Sequence, residues 1–133
     1  MHPPLTGRCL CGAIHYQSGS PLYPLTLCHC ESCRRASAAH AVGWFTVKSG
    51  ELAFSGGPPT EFESSPGVRR AFCGRCGTPL TYRNTQRPGE IDVTICSLDD
   101  PERAPPADHT WMQDASSWDL PQDGLPQYPA GRV

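Results

Sequence analysis

Seven of the eight cysteines in this 133-residue chain fall into three short clusters. They are Cys9-Leu10-Cys11, Cys28-His29-Cys30-Glu31-Ser32-Cys33 and Cys73-Gly74-Arg75-Cys76. Cysteines one or two residues apart are poor disulfide partners for each other but natural chelates. The N-terminal stretch MHPPLTGRCLCG lacks the apolar segment of a secretory signal. Without export, disulfides are disfavoured and clustered cysteines read as metal ligands. A cytoplasmic location is the matching expectation.

Ligand arithmetic then divides the clusters. Cys9, Cys11, Cys73 and Cys76 supply four thiolates, enough to close a tetrahedral zinc site. Cys28, Cys30 and Cys33 supply three and leave one position for water or substrate. Closed sites are structural, whereas a site with an open position is the catalytic arrangement. The sequence therefore predicts two zinc ions per chain, one holding the fold and one available for chemistry.

Such staples suit this composition. The chain has 15 prolines, 13 glycines and only 38% hydrophobic residues, which excludes long helices over most of its length. It reads as one mainly β domain, 1–133, built of short strands. Strand-like runs lie at 13–17, 41–47, 52–54, 60–63, 68–72, 79–83 and 90–96, and 25–27 leads into the triplet. A short helix is expected at 31–38, with Arg34 and Arg35 facing solvent. Residues 99–110 read as an acidic, Pro-rich connection. The tail beyond them carries Trp111, Trp118 and Tyr128 as anchors and is expected to wrap the body. No apolar run is long enough to cross a bilayer.

Net charge is −2, which does not favour nucleic acid. The distribution is uneven: residues 1–90 hold nine Lys/Arg against five Asp/Glu, and residues 91–133 hold two against eight. Arg8, Arg34, Arg35, Arg69, Arg70 and Arg75 lie close in sequence to candidate ligands. They compensate thiolate charge, and they can also attract an anionic substrate.

Individual ligand geometries follow from local structure. In a strand, Cys9 and Cys11 would reach one metal from one face, with Leu10 pointing away. Residues 73–77 form a knuckle whose glycines allow a tight turn. Cys28 and Cys30 would leave a strand together, and Cys33 would return from the following turn. His29, between two ligands, is expected to point away from their metal. His40 is the outside candidate to line that site, against the plainer reading of a surface or core histidine. Cys96, inside a strand pattern, reads as a small buried residue rather than a ligand.

These motifs resemble the glutathione-dependent formaldehyde-activating enzyme family, which also includes centromere protein V. The resemblance rests on Gly7-Arg8-Cys9-Leu10-Cys11-Gly12, on Cys28-His29-Cys30 with Cys33-Arg34, and on Phe72-Cys73-Gly74-Arg75-Cys76-Gly77-Thr78-Pro79-Leu80. It continues through Ser97-Leu98-Asp99-Asp100-Pro101, His109-Thr110-Trp111, Trp118 and Gly124-Leu125-Pro126, and covers about residues 5–128. It implies a β-tent fold of short antiparallel strands with two zinc sites. The structural zinc would be held by Cys9, Cys11, Cys73 and Cys76, and the catalytic one by Cys28, Cys30 and Cys33. The implied activity is that of a carbon–sulfur lyase joining glutathione to formaldehyde. This chain has Ala38 where such proteins often have Gly, His40 where Pro is frequent, and Cys96 where a small residue is common.

The resulting expectation is a zinc-dependent enzyme for adducts of a small thiol and an aldehyde, with neither nucleic acid nor membrane as partner. A non-catalytic zinc module for binding other macromolecules is the main alternative. A metal-buffering or thiol-scavenging role without turnover is a third.

Overall fold

The computed structural model describes residues 3–132. Strands β1 (Leu5–Arg8), β2 (His15–Ser18) and β5 (Ala53–Ser55) form a small sheet in the order β1-β2-β5. The larger sheet holds β3 (Thr26–Cys28), β4 (Val42–Lys48), β6 (Thr60–Ser65), β7 (Val68–Phe72), β8 (Pro79–Asn84), β9 (Glu90–Thr94) and β10 (Asp108–Thr110). Its order is β10-β3-β4-β9-β8-β7-β6. A helix of about two turns, α1 (Glu31–Ser37), follows β3. The fold is mainly β, as the sequence predicts. The strand pairs are antiparallel except β10 with β3, which run parallel.

β4 is central because its sequence, VGWFTVK, is aromatic and β-branched, and both its neighbours cover it. Phe45 and Val47 on β4 and Val93 on β9 are fully buried. Leu5 and Tyr16 of the small sheet join them in one core with Ile95 and Leu98. The two sheets are therefore held by a shared but modest apolar cluster. A polar seam adds to it: Tyr16 Oη lies 2.7 Å from Ser97 Oγ, and Thr94 Oγ1 donates to the Pro79 carbonyl at 2.9 Å. Burial pushes the Tyr16 phenol up to about 12. Gly7 sits under the Tyr16 ring, where any Cβ would collide with it.

Two sequence expectations are corrected here. The strand expected over 90–96 ends at Thr94, and Ile95–Ser97 form a 3-10 turn. That turn rotates Cys96 out to solvent, so it is exposed rather than buried. The connection over 99–110 ends in a strand, β10, which adds to β3 directly beside the cysteine triplet. The tail does wrap the body, but through its backbone. His109 N–H donates to Pro126 O, and Tyr128 N–H donates to His109 O, both at 2.9 Å. Trp118, expected as an anchor, is 79% exposed.

The end of α1 explains one departure from the family pattern. Ala38 caps the helix in the left-handed region, with φ of 56°. An L-residue with a Cβ is strained there by about 1 kcal/mol, and glycine is not. Ala38→Gly should raise the melting temperature by roughly 2–4 °C. A lowered melting temperature would show that the cap is not strained.

β10 also carries a buried acid, Asp108. Burial raises its carboxyl, but the Arg132 guanidinium, bonded to it at 2.6 and 3.2 Å, and a further hydrogen bond with Thr26 outweigh that and hold it below the ordinary value. A carboxylate depressed in the folded state contributes stability above its unfolded pKa of about 3.9 and loses it as pH falls through the folded value. Asp108→Asn should therefore melt below the wild type at pH 6, and the two should converge as pH falls through the lowered folded value of Asp108. Parallel melting curves at all pH values would remove this linkage.

Candidate metal centres and the adjoining cavity

β1 stops at Arg8, so Cys9 and Cys11 lie in a turn rather than along a strand as expected. Gly12 closes that turn with φ of 79°, its N–H donating to Cys9 O at 3.1 Å. The knuckle between β7 and β8 closes alike, Gly77 having φ of 82° and donating to Cys73 O at 2.8 Å. The sulfurs of Cys9, Cys11, Cys73 and Cys76 all lie within 4.8 Å of one another. Cys9 to Cys11 is 3.7 Å and Cys11 to Cys73 is 3.8 Å. Thiolates at about 2.3 Å from a tetrahedral zinc are about 3.8 Å apart, so the donor set fits that ion.

Polar groups around these sulfurs orient them. Ile14 N–H donates to Cys9 Sγ at 3.3 Å and Arg75 N–H to Cys73 Sγ at 3.4 Å. Thr78 links the two turns. Its hydroxyl oxygen accepts from Leu10 N–H at 3.0 Å and lies 3.2 Å from Cys76 Sγ, to which it donates when that sulfur is a thiolate. That bond leads the effects that hold the Cys76 thiol down at about 5. Cys9 and Cys73 pack with Ile14 and Leu80 in a second apolar cluster.

The sulfurs of Cys28, Cys30 and Cys33 form the second group within 4.8 Å. Cys28 ends β3, and Cys30 is the N-cap of α1, its sulfur accepting from Cys33 N–H at 3.3 Å. Cys33 comes from the first turn of that helix rather than from a separate turn. No fourth Cys, His, Asp or Glu joins the group among the described residues. Hydrogen bonds from the Cys28 and Cys33 thiols lead the effects that hold the Cys30 thiol far below its usual range.

His29 points away from the sulfurs, as expected. Its Nε2 lies 3.0 Å from His109 Nδ1, and His109 Nε2 lies 2.8 Å from Asp123 Oδ2. A carboxylate only accepts, so His109 donates through Nε2 and its Nδ1 accepts from His29. Burial holds the His29 imidazole below its ordinary pKa. This chain ties the triplet to β10 and the tail. His40 joins neither sulfur group. It is half exposed, pairs with Asp119 at 2.9 Å, and lines a small side cavity with His29 and His109. Cys96 also lies outside both groups.

A cavity of about 680 Å³ opens beside Cys33, walled in part by Val42, Trp44, Phe72 and Arg70. Arg70 was only one of six arginines near ligands in sequence, and its position was not legible there. Its Nη2 lies 3.9 Å from Cys33 Sγ, and its guanidinium stacks 5.0 Å from the centre of the Tyr82 ring. Arg34 and Arg35 instead turn to Glu31, at 3.8 and 3.4 Å.

Residues 4–114 match the family model described as glutathione-dependent formaldehyde-activating enzyme. An uncharacterized lyase of Schizosaccharomyces pombe is 31% identical over 95 residues, covering 70% of this chain and 69% of that protein. A protein of Halomonas elongata, named provisionally as a glutathione-dependent formaldehyde-activating enzyme, is 29% identical over 126 residues, 86% of this chain and 78% of that one. A solved protein of Rhodobacter sphaeroides shares the fold, with a TM-score of 0.62 at 20% identity, over 92% of this chain and 98% of that one.

The two groups differ in what they hold together. Cys73→Ser breaks a set that joins distant turns, so it should cost at least ~3 kcal/mol and bring aggregation with loss of bound zinc. Cys30→Ser touches a local turn, and the protein should stay folded with about one zinc fewer per chain. Melting curves with metal analysis check this. Equal destabilisation would make the triplet as structural as the four-sulfur set.

Proposed function

This chain belongs to the glutathione-dependent formaldehyde-activating enzyme family, and we propose that it is a zinc-dependent carbon–sulfur lyase. Its substrate class is the adduct of a small acidic thiol, such as glutathione, with an aldehyde such as formaldehyde. Cys9, Cys11, Cys73 and Cys76 hold the structural zinc, and Cys28, Cys30 and Cys33 the catalytic one. The observation that carries the reading is the three-sulfur group with no fourth protein donor among the described residues, its Cys33 on the wall of a cavity. The names of the relatives, a lyase and a formaldehyde-activating enzyme, support it.

A zinc ion there supplies Lewis acidity and favours the thiolate form of a thiol it binds. The reaction balances simply. A carbon–sulfur bond forms between thiol and carbonyl carbon, and the thiol proton ends on the carbonyl oxygen; the lyase direction reverses both changes. Arg70 serves this chemistry by charge alone. A guanidinium keeps its proton at any working pH, so it holds an anion and does not transfer protons. Its guanidinium meets the Tyr82 ring and the Cys33 sulfur, and among the described residues no carboxylate pairs with it. It is thus available to a substrate carboxylate beside the sulfurs. Trp44, Val42 and Tyr82 pack against Cys28 and Cys33 and give the sulfurs an apolar flank. Among the described residues no helix is long and apolar enough to cross a membrane.

The thiol site is testable in cobalt-loaded protein, where sulfur ligation changes the visible spectrum. Glutathione or 3-mercaptopropionate should shift the bands, and Arg70→Ala should weaken thiol binding by about tenfold or more. If neither thiol alters the spectrum, the lyase reading fails and a closed, non-catalytic zinc module becomes the better account.

A further inference from the structure

The cavity beside Cys33 has about 680 Å³, within the range of sites that bury a drug-sized molecule. A one-carbon group needs little more than the ~30 Å³ of a water molecule. The wall is mostly apolar, formed by Val42, Trp44, Phe62, Phe72 and Pro79. Phe62 is the informative residue. It is 62% exposed, the one aromatic on the otherwise polar edge strand β6, TEFESS. The core does not use it.

Register places it with purpose. Phe62 pairs directly with Arg70 on β7, and Arg70 pairs with Tyr82 on β8. Directly opposed residues share one face of a sheet. Phe62, Arg70 and Tyr82 therefore form a row across three strands, a cation between two aromatic rings. The Trp44 ring lies 6.1 Å from that of Tyr82. The middle of the row, Arg70, meets the Cys33 sulfur, and the Phe62 end lies on the cavity rim.

Resting on the thiol-site reading, we infer that the substrate has an apolar body. It carries a carboxylate for Arg70 and an aryl or branched-alkyl group for the Phe62–Trp44 wall. A strongly polar peptide thiol would leave most of its amides facing this apolar wall, at a cost unless each finds a partner among the few polar lining groups, Arg35 and Ser64 among them. The site thus selects an apolar acidic thiol, or its aldehyde adduct, over glutathione.

Calorimetric titration of zinc-loaded protein with 2-mercapto-3-phenylpropionate, 3-mercaptopropionate and glutathione tests this. The aryl thiol should bind about tenfold or more tighter than either of the others, as burial of its ring predicts. Phe62→Ala removes an exposed side chain and should leave the fold intact while shrinking the advantage about threefold or more. Equal affinities for the three thiols, or an aryl advantage unchanged by Phe62→Ala, would overturn the inference and leave the thiol site standing. Absence of binding by all three removes the thiol site itself, and the inference with it.

Discussion

Four sulfurs from two turns, about sixty residues apart in the chain, are the contact on which the rest of this structure depends. One turn leaves the small sheet after β1, and the other joins β7 to β8 in the large one. A three-stranded sheet with strands of only three and four residues buries little apolar surface of its own and depends on what it packs against. The apolar cluster it shares with the large sheet is modest. Closing so long a loop costs chain entropy that these contacts alone offset poorly. A zinc gripping all four sulfurs would supply that free energy directly, on the order of ten kcal/mol in small zinc modules. Thr78, bonded to both turns, sets the sulfurs in place for it.

The second sulfur group sits in a different mechanical setting. Its three donors come from one six-residue stretch, Cys28 to Cys33, at the end of β3 and the first turn of α1. Nothing distant depends on it for closure. Instead, distant parts support it: β10 flanks β3, and the His29–His109–Asp123 chain fixes the loop from behind. Such support leaves the front of the group free to meet a cavity, with Arg70 beside the Cys33 sulfur and Arg35, paired with Glu31, also on its lining. A site buttressed from behind and apolar in front is built to bind rather than to staple.

The ligand clusters were legible because metal chelation imposes short spacings that a sequence displays directly. So were β4, β7 and β8, whose aromatic and β-branched runs have no competing interpretation. The groups that serve the sulfurs were not. Arg70 reaches Cys33 across 37 residues, through the pairing of strands that local pattern cannot order. Thr78 and Asp123 act through single hydrogen bonds, which leave no periodicity. β10, three residues of Asp, His and Thr, has none of the apolar alternation that marks a strand, because it is stabilised by β3 on one side and the tail on the other. Cys96 misled for a related reason: alternation continued past the residue where the backbone turned. Arg34 and Arg35 were attractive by proximity, yet a helix places them one turn from Glu31, which takes both.

The central claim is the division into a closed four-sulfur site and an open three-sulfur site. X-ray absorption at the zinc edge of fully loaded protein, without added thiol, reads it most directly. The account predicts an average of about 3.5 sulfurs per zinc at about 2.3 Å, with about half a lighter oxygen or nitrogen donor at ~2.0–2.1 Å. An average of four sulfurs with no lighter donor would contradict it, because the triplet would then be closed by a further cysteine.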